Sequence, residues 1–264
     1  MRNPRTEGPQ FWRVTGGLLL LSAGLAGCGG GGGDGSPSVT PAEPTATLSG
    51  SVFPARRAGA QVRVTDLAGN ALAAPVAVGE TGQFQVALAA ASRDQVMRVC
   101  VEGGQLSDPL RAGQAAESPL CARGSLPSGQ TQAAVHVSAL TSLQDRLVRQ
   151  QGLTDDAAQA LLAQVLGLAP DASLAAAPEG SLEARRQHLW NLGLFQWVAD
   201  LGLDTAALEA LLDTFAADLA DGVADGRVSG GPTTLLGQAW PSDPAYRFQQ
   251  ALMGVYRGGQ VEAA

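Results

Sequence analysis

In the first half of the chain, apolar and polar positions alternate with a period of two. Leu48, Gly50 and Val52 interleave with Ser49 and Ser51, and Val62 and Val64 with Gln61, Arg63 and Thr65. Phe84, Val86 and Leu88 interleave with Gln83, Gln85 and Ala87, and Val96, Val99 and Val101 mark a further run. Alternation of this kind, interrupted by Gly and Pro, predicts half-buried antiparallel strands. Asp66-Leu67-Ala68-Gly69-Asn70 and Gly79-Glu80-Thr81-Gly82 supply turn chemistry between them. A strand about every ten residues points to a small antiparallel β-sandwich over residues 47–137.

From residue 138 the period lengthens to that of a helix. Ser138 is placed to cap a first helix with Leu140, Leu143 and Leu147 on one face, and Gly152 stops it. Thr154 caps a second, with Asp155 and Asp156 at its positive end. Leu161, Leu162, Val165 and Leu166 form its apolar side, and Gly167 ends it. A third helix begins at Ser181. Its Leu189, Trp190, Leu192, Leu194, Phe195, Trp197, Val198 and Leu201 cover almost every side, as in the centre of a bundle. Trp190, Leu194, Trp197 and Leu201 could instead line a ligand groove. Core is the preferred reading, because large apolar residues usually fill interiors. Asp204 is expected to cap a fourth helix carrying Leu208, Leu211, Leu212, Phe215 and Leu219. Asp243-Pro244 opens a last one, with Phe248, Leu252 and Val255 inward and Gly258-Gly259 at its end. The fold class is therefore α+β, with a helical bundle over residues 138–264.

The first residues read as an address. Arg2, Arg5 and Arg13 precede an apolar run from Val14 to Ala26, too short to span a bilayer as a mature helix. It ends in Leu25-Ala26-Gly27-Cys28, small residues ahead of a cysteine whose thiolate can accept a lipid. Residues 1–27 are thus expected to be a lipoprotein signal peptide and Cys28 the lipidated N-terminus. The alternative is a plain signal peptide with an incidental cysteine. Residues 28–46 open with a run of glycines and continue with Pro and Thr, the composition of a flexible tether. Several acyl chains anchor stably, so the mature protein is expected on the extracytoplasmic side of a membrane, the outer membrane or cell surface first.

Composition narrows the chemistry. All seventeen basic residues of the 264 are Arg, which excludes a lysine Schiff base or a P-loop lysine. The net charge of −7 becomes −9 once the leader, at +2, is removed. That charge opposes binding to nucleic-acid phosphates and polybasic contact with anionic lipid. His136 and His188 are the only histidines, so no site of three His ligands exists. His136 falls in the Val135–Val137 alternation and is expected to point out from a strand. His188, beside Trp190, reads as a rim or hydrogen-bonded residue. Cys100 and Cys121 remain once Cys28 is assigned, and an even pair in an exported chain suggests a disulfide worth about 3 kcal/mol. Asp218, Asp221 and Asp225 invite a calcium reading. On an EF-hand loop, however, Val223 misses a ligand position and Pro232 stands where the bidentate Glu belongs. A glycine-capped helix end is the simpler account. No cofactor is expected.

Two resemblances bear on architecture. Leu48-Ser49-Gly50-Ser51-Val52, Gly59-Ala60-Gln61-Val62-Arg63-Val64 and Thr81-Gly82-Gln83-Phe84 resemble the carboxypeptidase regulatory-like, or transthyretin-like, sandwich. That resemblance implies a structural or binding module. Val135, Val137, Leu140, Thr141, Leu143, Gly152, Leu153, Ala157, Gly167 and Leu168 are similar to a pattern in bacterial envelope lipoproteins, in which a helical part follows a β module. Ala139 stands where that pattern has proline. The same group shows a similar ending to Asp218–Gly226. The resemblance implies architecture and location and carries no catalytic residues.

The sequence has no G-x-S-x-G elbow, H-E-x-x-H, C-x-x-C or P-loop. The expected function is a non-catalytic, lipid-anchored envelope protein that binds or assembles with an envelope protein or glycan. An envelope hydrolase using His136 or His188, and a calcium-stabilised structural module, are the alternatives.

Overall fold

The computed structural model describes residues 46–53, 57–106, 118–169, 173–174, 181–241 and 243–257. The expected signal peptide with Leu25, Ala26, Gly27 and Cys28, the tether up to residue 45, and Gly258-Gly259 lie outside them.

Among the described residues the chain is α+β, with the longer strands up to Val137 and five α-helices after it. The strands are β1 (Ala46–Val52), β2 (Arg57–Ala58), β3 (Gln61–Thr65), β4 (Val76–Ala77), β5 (Gln83–Leu88), β6 (Val96–Glu102), β7 (Gln105–Leu106), β8 (Leu120–Ser125) and β9 (Gln132–Val137). One sheet has the order β5-β1-β9 and a second β4-β3-β6-β8, while β2 and β7 pair separately. The first strand starts at Ala46, inside the span expected to be tether.

The expected all-antiparallel arrangement is corrected at one place: β1 runs parallel to β9, with Ser51 opposite His136 and Val52 opposite Val137. Parallel neighbours need a crossover of a dozen residues or more, and here the whole second sheet lies between the two strands in sequence. The other pairs of both sheets are antiparallel.

The alternation seen in the sequence sorts these strands by face. Leu48, Val52, Phe84, Val86, Leu88, Val135 and Val137 are buried together with Val62, Val64, Met97, Val99 and Val101 of the second sheet. Gly50 lies opposite Phe84 in the register, and a Cβ on it would meet the Phe84 ring and the Val135 carbonyl. Only glycine leaves room for that approach.

The helices are α1 (Ala139–Gln151), α2 (Asp155–Leu166), α3 (Leu182–Asp200), α4 (Ala207–Asp218) and α5 (Pro244–Arg257). Ser138, Thr154 and Ser181 cap the first three, and Gly152 and Gly167 close α1 and α2 in the left-handed conformation. α4 departs from expectation. Its N-cap position is Ala206 rather than Asp204, and no side chain of that residue bonds there. The cap comes from outside the helix: Ser118 Oγ accepts from Glu209 N at 3.2 Å and donates to the Thr205 carbonyl at 2.6 Å. Asp204 contributes a longer bond from Ala207 N, 3.3 Å.

Between α4 and α5 lie two minimal hairpins, β10 (Arg227–Val228) with β11 (Gly231–Pro232), and β12 (Thr234–Leu235) with β13 (Gln238–Ala239). Each turns on two residues with positive φ, Ser229-Gly230 and Leu236-Gly237. That is the geometry of tight primed turns.

The helices and sheets share one core. A single cluster of buried side chains extends from Ala46 through Leu143, Leu162, Leu212 and Phe215 to Ala251. α1 also covers the free edge of β8. The Cys121 amide donates to Ser142 Oγ at 2.7 Å, and the Cys121 carbonyl accepts from Thr141 Oγ1 at 2.9 Å. Asn191 of α3 takes the otherwise unpaired Leu140 amide, 2.9 Å, in the first turn of α1. Trp190 stacks on Phe248 at 3.9 Å and Trp197 on Trp240 at 4.9 Å between ring centroids. Trp197 and Trp240 are thus buried in the core, and Trp190 is half-buried against it. No described helix is long and apolar enough to cross a membrane.

Candidate functional site

The two histidines converge, although fifty-odd residues separate them. The outer face of the β5-β1-β9 sheet carries Gln83, Gln85 and Ala87 on β5, all exposed. On β1 it carries Ser49 and Ser51, half-buried, and on β9 it carries His136, buried at 4% exposure. Burial thus increases across this face from Gln83 on β5 through Ser51 on β1 to His136 on β9. Phe53, the next residue on that face after Ser51, lies with its ring centroid 5.9 Å from His136 and 4.1 Å from His188. The expectation that His136 points out of its strand therefore needs correction. It does leave the sheet–sheet core, but Phe53 and His188 cover it.

Ser51 Oγ lies 2.9 Å from His136 Nδ1, as their opposite register positions allow. Nε2 of the same ring is buried and, among the described residues, has no hydrogen-bond partner. Burial, and then the nearby His188, push His136 down to about 4 from the ordinary 6.5. Burial also lowers His188. Both imidazoles are therefore neutral at pH 7. Ser51 and Phe53 were not singled out from the sequence. The available signal was the shared parity of residues 49, 51 and 53, which puts them on the face opposite Leu48, Gly50 and Val52.

The acidic loop after α4 has a different use. Asp218 is fully buried. One carboxylate oxygen accepts the Arg227 amide at 2.9 Å and the other the Trp240 indole N–H at 3.2 Å. It thus ties the end of α4 to both hairpins. Burial raises its pKa, outweighing these donors, which favour the charged form. Asp221 Oδ1 accepts from Val223 N and Asp225 Oδ1 from Arg227 N, short-range turn bonds. Among the described residues no group of three His, Cys, Asp or Glu gathers as a metal set.

Cys100 and Cys121 stand opposite each other on β6 and β8 and are disulfide-bonded, with Cα atoms 4.1 Å apart. Nearby, one carboxylate joins the second sheet to the helices. Asp145 of α1, fully buried, meets Arg98 of β6 at 2.8 Å, Arg149 at 3.1 Å and Arg123 of β8 at 3.8 Å. Arg123 also holds Asp155 at the start of α2. Arg146, nearly buried, reaches Asp213 of α4 at 2.7 Å.

Comparison with family models, curated proteins and solved structures finds no match to this chain.

Proposed function

We propose that this chain is a non-catalytic, lipid-anchored protein of a bacterial cell envelope that binds or assembles with an envelope protein or glycan. The observation that carries the reading is the sequence Leu25-Ala26-Gly27-Cys28 and the glycine run after it, ahead of the strands and helices described from Ala46 on. A lipid on Cys28 would hold that folded part at a membrane surface, where tethering raises its effective concentration toward partners. The finer architecture we propose is a β-sandwich of carboxypeptidase regulatory-like kind, built from the two sheets, followed by a helical bundle. The polar interior supports a binding or structural role. Asp145, Asp218, Asn191, Ser118 and Ser142 are each engaged in bonds that tie one element to another.

The second reading, a hydrolase, is favoured by the Ser51–His136 contact at 2.9 Å. Against it, the serine sits on Nδ1, and Nε2 is buried with no described carboxylate to orient the ring. In-cell cross-linking of wild type against Cys28→Ala, read by mass spectrometry, tests the first reading. A defined partner set lost in the variant supports it. Labelling of Ser51 by a serine-reactive fluorophosphonate would overturn it in favour of the hydrolase.

A further inference from the structure

His136 and His188 lie on two separate elements, β9 and α3, and Phe53 fills the space between their rings. We propose that this joint is an acid-operated latch: protonation of the two imidazoles loosens the contact that His188 of α3 makes with Phe53 over His136 of β9. The ligand of the site is the proton itself.

The two nitrogens of His136 face different surroundings. Nδ1 of His136 is held by Ser51, while Nε2 is buried without a described partner. As a bare lone pair, that nitrogen is tolerable there. Protonated, it becomes a charged N–H with no acceptor, in a place from which water is excluded. The Phe53 face offers an imidazolium some cation–π attraction, on the order of 0.5–1 kcal/mol, well below the cost of burying an unpaired charge. A proton on His188, across the same ring, then adds repulsion.

Nothing described nearby offsets these charges. β1 carries no charged residue. Arg98 of β6 and Arg123 of β8 are held by Asp145, and Arg123 also by Asp155. On α1, Arg146 is paired with Asp213 and Arg149 with Asp145. On α3, Glu183 lies beside Arg186 and accepts the Ala169 amide, and Asp200 accepts from Gln196. Arg185, exposed one turn before His188, adds positive charge. After burial, the nearby His188 is what further lowers His136.

Both histidines bind protons less readily in the closed joint than at the ordinary 6.5. A group depressed in this way gives its full stability above the unfolded value and loses it as pH falls toward the folded one. With His136 at 6.5 in the open joint and about 4 in the closed one, the closing equilibrium weakens about 30-fold between pH 7.5 and pH 5.

Hydrogen exchange of the mature protein, corrected for intrinsic rates, reads this directly. Between pH 7.5 and 5, protection of peptides covering 132–137 and 182–192 is expected to fall about 30-fold. Peptides covering 208–215 of α4 should keep theirs. His136→Gln should lose most of this pH dependence, and His188→Gln part of it. A wild-type imidazole titration by NMR needs no variant and covers the case in which a variant does not fold. His136 staying neutral through pH 5.5, together with the local loss of protection, supports the latch. His136 titrating near 6.5 in the folded protein, or protection falling equally in α4, overturns it.

Discussion

Replacing Asp145 by alanine removes the one carboxylate on which three arginines from β6, β8 and α1 converge. Breaking a buried ion pair by deleting one partner costs about 3–5 kcal/mol, because the other charge is left stranded. The partners here decide where in that range the loss falls. Arg98 and Arg149 have side-chain exposures of 28% and 45% and can turn to water. Arg123, at 8%, cannot, but it keeps Asp155. The expected loss is therefore at the low end, about 3 kcal/mol. For a folded part of this size that is a fall of about 6–12 °C in Tm. Thermal and urea unfolding at pH 7.5 measure it. Arg149→Ala, which removes only an exposed pair four residues apart on one helix, should cost less than about 1 kcal/mol. Replacing the buried pair together, Asp145→Leu with Arg123→Met, should recover part of the loss, since the groups left unpaired, Arg98, Arg149 and Asp155, all reach water. The reasoning fails if Asp145→Ala costs no more than Arg149→Ala, or if the double replacement is worse than Asp145→Ala alone.

Three further outcomes follow from the same geometry. Gly50→Val should abolish cooperative unfolding or cost several kcal/mol, because its Cβ would overlap the Phe84 ring and the Val135 backbone; circular dichroism melts check this. Cys100→Ala with Cys121→Ala should cost about 3 kcal/mol from the 21-residue separation, and reductant on wild type should reproduce the fall in Tm. Asp218→Asn puts an amide donor against one of two N–H groups and should cost about 1–3 kcal/mol. Because Asp218 binds its proton more readily folded than unfolded, wild type gains relative to this variant as pH falls toward 3.8, so the gap in Tm should widen on acidification. With the Asp218 oxygens already accepting N–H groups, calcium and chelator should leave the wild-type melt unchanged.

What could be read from the chain was whatever depends on near neighbours. The alternation around Val62, Phe84 and Val99 fixed which side of each strand is buried, and the stripe from Leu208 to Phe215 did the same for α4. Ser138, Thr154 and Ser181 cap where a polar residue precedes an apolar periodic run. What could not be read depends on distant partners. The parallel register of β1 and β9 is set across the second sheet, so nothing local announces that Ser51 faces His136. His136 carries the pattern of an exposed strand residue, and Phe53 and His188, both distant in sequence, cover it. Ser118 caps a helix that begins some ninety residues on. The two small hairpins turn on Ser-Gly and Leu-Gly rather than the stronger Asn-Gly signal. Among the candidate site residues, the cysteine pair was legible from parity alone. The histidine joint required Phe53, which reads in the sequence as nothing more than the end of a strand.

The central claim is that the folded part is held to a membrane through Cys28, and the intact mass of the protein purified from the producing cell's membranes tests it most directly. The account predicts an N-terminus at Cys28 carrying a lipid-sized addition, and a Cys28→Ala protein without it. A wild-type mass matching an unmodified chain, cleaved elsewhere or not at all, would contradict the account.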